Sequence, residues 1–272
     1  MKVIFSRKGF DSAAGGVASP IVDGRPVSLP IPTKMPSPLR FAELAGDLPS
    51  LVADLSRGRV DVGRTCHLDP DIDSTLLPRK PGWRGALGQD GAAQGHLTKQ
   101  RIQPGDLFLF WGLFRPAEKR NGRWKYTGAR EHRIFGWLHV GDILALGPDG
   151  THALQRFPWL DQHPHVRRGW GVNNTLYVAS KRFSVQSRTL PGFGMLRQGR
   201  RLTRKGSALP SEWSTPAWLN PKTGGTGMSY HSIERWAEAG IRTAARGQEF
   251  VADIGDRADA SAWLGDLFNE VE

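Results

Sequence analysis

Cysteine is nearly missing from this chain: Cys66 is the only one among 272 residues. A single thiol excludes an internal disulfide and every zinc site built on several cysteines. No apolar run approaches the roughly 18 residues that span a bilayer, so no transmembrane helix is expected. The opening MKVIFSRKGFD turns charged too soon for a secretory signal, and a cytoplasmic protein is the expectation. The phosphate-cradling patterns GxxxxGK[ST] and GxGxxG are both missing. So are HEXXH, the GxSxG elbow, the PCxxC half of the zinc deaminase signature and the kinase set. Acids are also short, 26 Asp and Glu against 37 Lys and Arg, giving a net charge of +11. That balance points to nucleic acid, nucleotides or another polyanion as partner.

The acids that are present cluster. Residues 64–73 read RTCHLDPDID, with Asp69, Asp71 and Asp73 at every second position after Cys66 and His67. Alternate side chains of an extended backbone share a face, so the three carboxylates are expected to project together. Like charges held that close raise one another's pKa unless a cation, a proton or a basic ligand relieves them. Asp69, Asp71 and Asp73 are therefore the candidate ligands of a divalent cation, the one cofactor the sequence suggests. One of them could instead act as general base while His67 moves protons. The plain alternative is turn chemistry, since aspartate bonds its own backbone. Cys66 and His67 are sequence neighbours and face apart on a strand, which argues for a buried thiol over a Cys–His dyad.

With 39% hydrophobic residues the chain can bury a core, and a single domain over 1–272 is expected. Residues 2–6 read as a short buried strand leading into a glycine-bearing turn that carries Lys8, Asp11 and Ser12. Such turns can present backbone amides to a phosphate or sugar. Residues 19–38 have no helical period and suggest an extended arm, whereas 39–57 suggest an amphipathic helix. The Gly- and Pro-rich stretch 78–100 reads as a long loop. Strands are expected at 103–114, 132–144 and 174–180, with a basic hairpin at 115–131, and helices at 229–246 and 259–271. The middle suggests an α+β fold around a β-barrel-like (PUA-like) antiparallel core with peripheral helices.

Ten tryptophans are present, several beside a cation. Trp83 with Arg84, and Trp124 with Lys125, pair a stacking surface with a phosphate contact, and Arg200 and Arg201 add a basic run. Trp111 and Trp137 lie within apolar strands and read as core. His163 and His165, two apart on an extended segment, could ligate a metal, but no third ligand is evident near them.

The strings FSRKGFDSAAGGVASPIVDGRPVSLPIP, CHLDPDID and PGDLFLFWGLF resemble the bacterial family called nucleotide modification associated domain 3, over most of the chain. The resemblance implies a protein that acts on or recognises modified nucleobases, in company with other base-modification proteins. It implies a site among Lys8, Asp11, Ser12, Cys66, His67, Asp69 and Asp71. The resulting expectation is a base-modifying enzyme with catalytic residues Asp11, His67, Asp69 and Asp71. Its nucleic-acid contacts would come from Lys8, Ser12, Trp83, Arg84, Trp124, Lys125, Arg200 and Arg201. Two rivals are a non-catalytic reader of modified DNA or RNA, and a metal-dependent nuclease.

Overall fold

The two longest apolar runs make the two longest strands. The computed structural model describes residues 1–35, 37–244 and 249–271, with the Glu270 side chain outside that description. Its main sheet has ten strands among those residues. They are β1 (Lys2–Arg7), β2 (Ser19–Val22), β3 (Arg25–Pro26), β4 (Ala86–Gln89), β5 (Leu107–Arg120), β6 (Arg123–Tyr126), β7 (Glu131–Ala145), β8 (Thr175–Ala179), β9 (Phe193–Arg201) and β10 (Glu249–Asp253). The helices are α1 (Leu48–Leu55), α2 (Gly91–Lys99) and α3 (Ala258–Leu267).

The central path runs β10-β1-β5-β7-β8-β4. β1 is parallel to β5, with Val3 opposite Leu107 and Arg7 opposite Trp111, and antiparallel to β10. β2 also runs parallel to β5. The sheet is therefore mixed, and among the described residues it does not close into a barrel, so the expected antiparallel barrel-like (PUA-like) core is not found there. Both faces of its centre are covered. Val3, Phe5, Leu107, Leu109 and Trp111 face one apolar cluster, while Ile4, Phe108 and Phe110 face another. Burial on two sides explains why LFLFW reads as continuous apolar sequence with no alternation.

The strands expected at 2–6, 103–114, 132–144 and 174–180 form as β1, β5, β7 and β8, and the basic hairpin forms as the end of β5 with β6. Asn121 and Gly122 close that hairpin, both with positive φ (52° and 77°), the requirement of a tight two-residue turn. The helix expected at 39–57 is shorter, a 3₁₀ turn at Phe41–Glu43 and then α1. The loop expected at 78–100 instead holds β4 and α2, whose start is capped by the Asp90 carboxylate accepting from Gly91 N–H. The helix expected at 229–246 does not form over the described residues. There, Trp236–Ala237 and Gly240–Arg242 make a small sheet with Glu212–Trp213, so pairing with a distant segment overrides local helical pattern. Residues 245–246 of that expectation lie outside the described residues. The expected C-terminal helix forms as α3 and a further 3₁₀ turn.

Candidate metal centre

The short strand Cys66–His67 pairs with Ile31–Pro32, which holds the segment extended. Cys66 and Leu68 then point into the apolar cluster closed by α1 and Trp124. His67 and Asp69 turn the other way. The backbone is pinned just beyond by reciprocal hydrogen bonds between Asp71 and Ala86, at the start of β4. Two residues further along β4, the Gly88 N–H donates to Asp69 Oδ1 at 2.8 Å and fixes the carboxylate.

A distant segment completes the cluster. Two proline-started 3₁₀ turns, Pro158–Gln162 and Pro164–Val166, deliver His163 and His165. His165 Nε2 lies 3.8 Å from Asp69 Oδ2, His67 Nε2 lies 3.7 Å from the same oxygen, and His163 Nε2 lies 3.8 Å from Asp69 Oδ1. The His165 ring packs directly over Gly88, where a Cβ would meet it at 2.1 Å, so this position tolerates only glycine. Trp170 stacks on the outer face of His165 at 3.7 Å between ring centres.

The hydrogen-bond partners fix where the ring protons sit. Asn174 donates its amide hydrogens to the carbonyls of Gly147 and His165, so its side-chain oxygen faces His165 Nδ1 at 2.6 Å. Nδ1 of His165 must then donate, and its Nε2 turns a lone pair toward Asp69. His163 is arranged in the opposite sense: its Nδ1 accepts from the His165 backbone N–H, so Nε2 carries the proton and points at Asp69 Oδ1. His67 Nε2 and His163 Nε2 are buried without a hydrogen-bond partner among the described residues.

Burial dominates the electrostatics. It pushes the Asp69 carboxyl up to about 7, against the pull of nearby Lys8 and the Gly88 amide. Burial also lowers His67 and His163 well below the ordinary histidine value, with neighbouring imidazoles adding to it, and takes His165 down to about 4. The imidazoles are thus neutral near pH 7, and their contacts with Asp69 are not ion pairs. His67 Nε2, His165 Nε2 and an Asp69 oxygen all lie within 4.8 Å of one another. Ligand atoms bonded at about 2.0–2.2 Å around a tetrahedral ion sit roughly 3.4 Å apart. The two His–Asp separations, 3.7 and 3.8 Å, stand a few tenths of an ångström above that, and the two imidazole nitrogens have the larger distance to close. Two imidazoles and one carboxylate suit a divalent transition metal and leave coordination positions open.

A second buried group lies close enough to act on Asp69 electrostatically. Lys8 Nζ lies 3.2 Å from Glu249 Oε1, which also accepts from Gln89 Nε2 at 2.8 Å, and Glu249 Oε2 has no hydrogen-bond partner among the described residues. Both side chains are almost completely buried.

The sequence match decides the relationship. The chain belongs to the nucleotide modification associated domain 3 family, whose model matches residues 2–253. No curated protein and no solved structure matches it. Membership in the nucleotide modification associated domain 3 family links the chain to nucleotide modification, and no helix among the described residues is long and apolar enough to cross a membrane.

Of the residues expected in the site, this member of the nucleotide modification associated domain 3 family brings together His67, Asp69 and Lys8. The three aspartates do not converge on one point. Asp71 is held by both terminal nitrogens of Arg79, at 2.9 and 2.7 Å, and by Trp83 Nε1 at 3.2 Å. Asp73 Oδ1 accepts from the Thr75 N–H and hydroxyl, which is turn chemistry. Asp11 folds back on its own loop, where its Oδ1 takes the Ala13 and Ala14 amides, and Ser12 is exposed there. Those amides are therefore occupied and offer no anion nest.

Trp83 is covered by the Arg79 guanidinium at 4.0 Å and by Phe193 at 5.0 Å. Arg84 bonds the Ala179 carbonyl and Asp142. Arg200 contacts Asp266, and Arg201 contacts Glu131. Trp124 is buried against α1, with Lys125 exposed beside it. The sequence shows no third ligand beside His163 and His165 and gives no signal for Glu249 or Gln89, whereas Trp170 and Asn174 stand near the histidines in sequence as part of one polar-aromatic patch. The HPH spacing was the available signal, and its partner turned out to be the HLD of residues 67–69.

Proposed function

We propose that this protein is a metal-dependent enzyme that modifies a nucleobase or nucleotide at His67, Asp69 and His165. The observation that supports it best is the convergence of two imidazole nitrogens and one carboxylate oxygen, with Asn174 turning a lone pair of His165 toward that carboxylate. A lone pair and an ionised carboxylate facing each other inside a protein repel unless a proton or a cation sits between them, and at 3.8 Å the nitrogen and oxygen stand too far apart to share a proton. Membership in a nucleotide modification family supports a nucleobase or nucleotide as the substrate class. A divalent ion there would polarise a substrate oxygen or activate a water at its open positions. The remaining residues have separate tasks. His163 Nε2–H faces Asp69 Oδ1 at 3.8 Å, and Trp170 walls the outer side of His165. Lys8 holds the Glu249 carboxylate in place.

The test combines metal analysis with nucleoside mass spectrometry on DNA and RNA from cells expressing wild type or Asp69→Asn. Wild type should bind about one equivalent of a transition metal and change a nucleoside mass, and Asp69→Asn should do neither. Failure of wild type to bind zinc, iron, cobalt or manganese would overturn the reading.

A further inference from the structure

A second recess opens on the far side of the apolar cluster that backs the His–Asp segment. Cys66 and Leu68 face that cluster from one side, and α1 with Trp124 closes it from the other. Outside this wall, α1 and the β5–β6 hairpin enclose a groove of about 660 Å³. It is walled by four cations, Arg57, Arg115, Arg123 and Lys125, and by one acid, Asp54. The acid is engaged internally, because Asp54 Oδ2 accepts from the Trp124 backbone N–H at 2.9 Å.

The cations fall into two groups. Arg115 is built into the wall, donating to the Gly128 carbonyl with its guanidinium 5.0 Å above the Tyr126 ring. Arg57, Arg123 and Lys125 are exposed and make no side-chain hydrogen bond or ion pair among the described residues. Arg57 stands where the chain leaves α1 with φ of +56°, and Arg123 follows the Asn121–Gly122 turn. Backbone geometry at both ends of the groove thus aims unpaired positive charge at one space. The Trp124 ring is buried against Ser50 and overlaid by Lys119, so no open aromatic face is offered for stacking. The groove is built for repeated negative charge rather than for a base.

We infer that this groove binds the sugar–phosphate backbone of a nucleic-acid strand, so that the base to be modified is presented as part of a polymer. The inference rests on the proposed nucleotide-modifying function and specifies its substrate as DNA or RNA over a free nucleotide. Phosphate contacts of this kind position a strand without reading its sequence.

The experiment measures fluorescence anisotropy of labelled single-stranded DNA and RNA oligonucleotides across 50–200 mM salt, for wild type and three variants. The Arg123→Ala/Lys125→Ala double variant, altered only at exposed side chains, should bind at least about tenfold more weakly. It should also lower the salt slope by about 1.4, at roughly 0.7 per phosphate contact on a single strand. Lys205→Ala/Arg235→Ala removes the same charge from exposed positions elsewhere and should keep the wild-type slope. Asp69→Asn should bind the oligonucleotide as wild type does while losing metal. Weak, equal binding by the two charge variants, or no binding by wild type, would overturn the groove assignment. Metal uptake by wild type would still stand as the separate test of the catalytic reading.

Discussion

His165 and Asn174 share a hydrogen bond of 2.6 Å between the ring Nδ1 and the side-chain oxygen, and both residues are buried. The amide of Asn174 is fixed in turn by two backbone carbonyls. This is the outer-layer contact that selects a histidine tautomer and ring orientation in metal sites. Asn174→Ala should therefore weaken zinc or cobalt binding by about 10- to 100-fold. Isothermal titration against wild type checks it, and unchanged affinity would remove Asn174 from the centre.

Asp69→Asn keeps the shape of the side chain but loses the anionic ligand. Metal affinity should fall below that of Asn174→Ala, while the unfolding midpoint without metal should stay level or rise. The rise has a cause: burial holds the Asp69 carboxyl up at about 7, so its ionised form is costly inside the protein. Thermal melts in a chelator, beside a metal titration, separate the two effects.

Lys8 and Glu249 are a buried pair at 3.2 Å. Removing one member leaves an uncompensated charge in the interior, at a cost of about 3–5 kcal/mol. Lys8→Met should lose stability on that scale in urea unfolding. Adding Glu249→Gln to it should recover a large part of the loss, because the stranded charge is then gone.

His132 gives the fold a pH dependence of known sign. Burial, with Arg7 nearby, lowers it to about 3, and its Nδ1 accepts from Trp213 Nε1 at 2.9 Å. A depressed histidine stabilises fully above its unfolded value near 6.5, and that contribution drains away as pH falls toward 3, since the unfolded chain then binds the extra proton. Denaturant unfolding at pH 7.5, 5.5 and 4.5 should show a shallower decline for His132→Gln than for wild type.

Cys66 should be inert in the folded protein. Burial pushes its thiol up to about 12, and the thiolate is the reactive form. A thiol reagent at pH 8 should titrate no groups in native protein and one after denaturation.

Part of this was legible in the sequence because it depends on neighbours. A period of two puts His67 and Asp69 on one face and Cys66 and Leu68 on the other, whatever the fold. The same rule overreached at Asp71 and Asp73, where Arg79 and Thr75 supply nearer partners than a cation would. His163 and His165 could be seen as ligands, but their meeting with Asp69 depends on β4 pairing with β8 and on two 3₁₀ turns, all of them non-local. Glu249 was hidden for a similar reason. It lies in an acid-rich tail and reaches Lys8 only because β10 pairs with β1. The helix expected at 229–246 gave way to strands because Gly240, at φ of +145°, lies tight against the Trp213 carbonyl.

Gly88 does three jobs with one residue. Its N–H anchors Asp69, and the space left by its missing side chain seats the His165 ring, while its backbone pairs with Leu176 in the sheet. Slipping β4 by one residue would bring Leu87 or Gln89 under the imidazole and move the anchoring amide by a full residue. Ligand spacing is thus measured out by strand alignment. Damage to this sheet edge would be read in an assay as lost metal affinity before any loss of global stability.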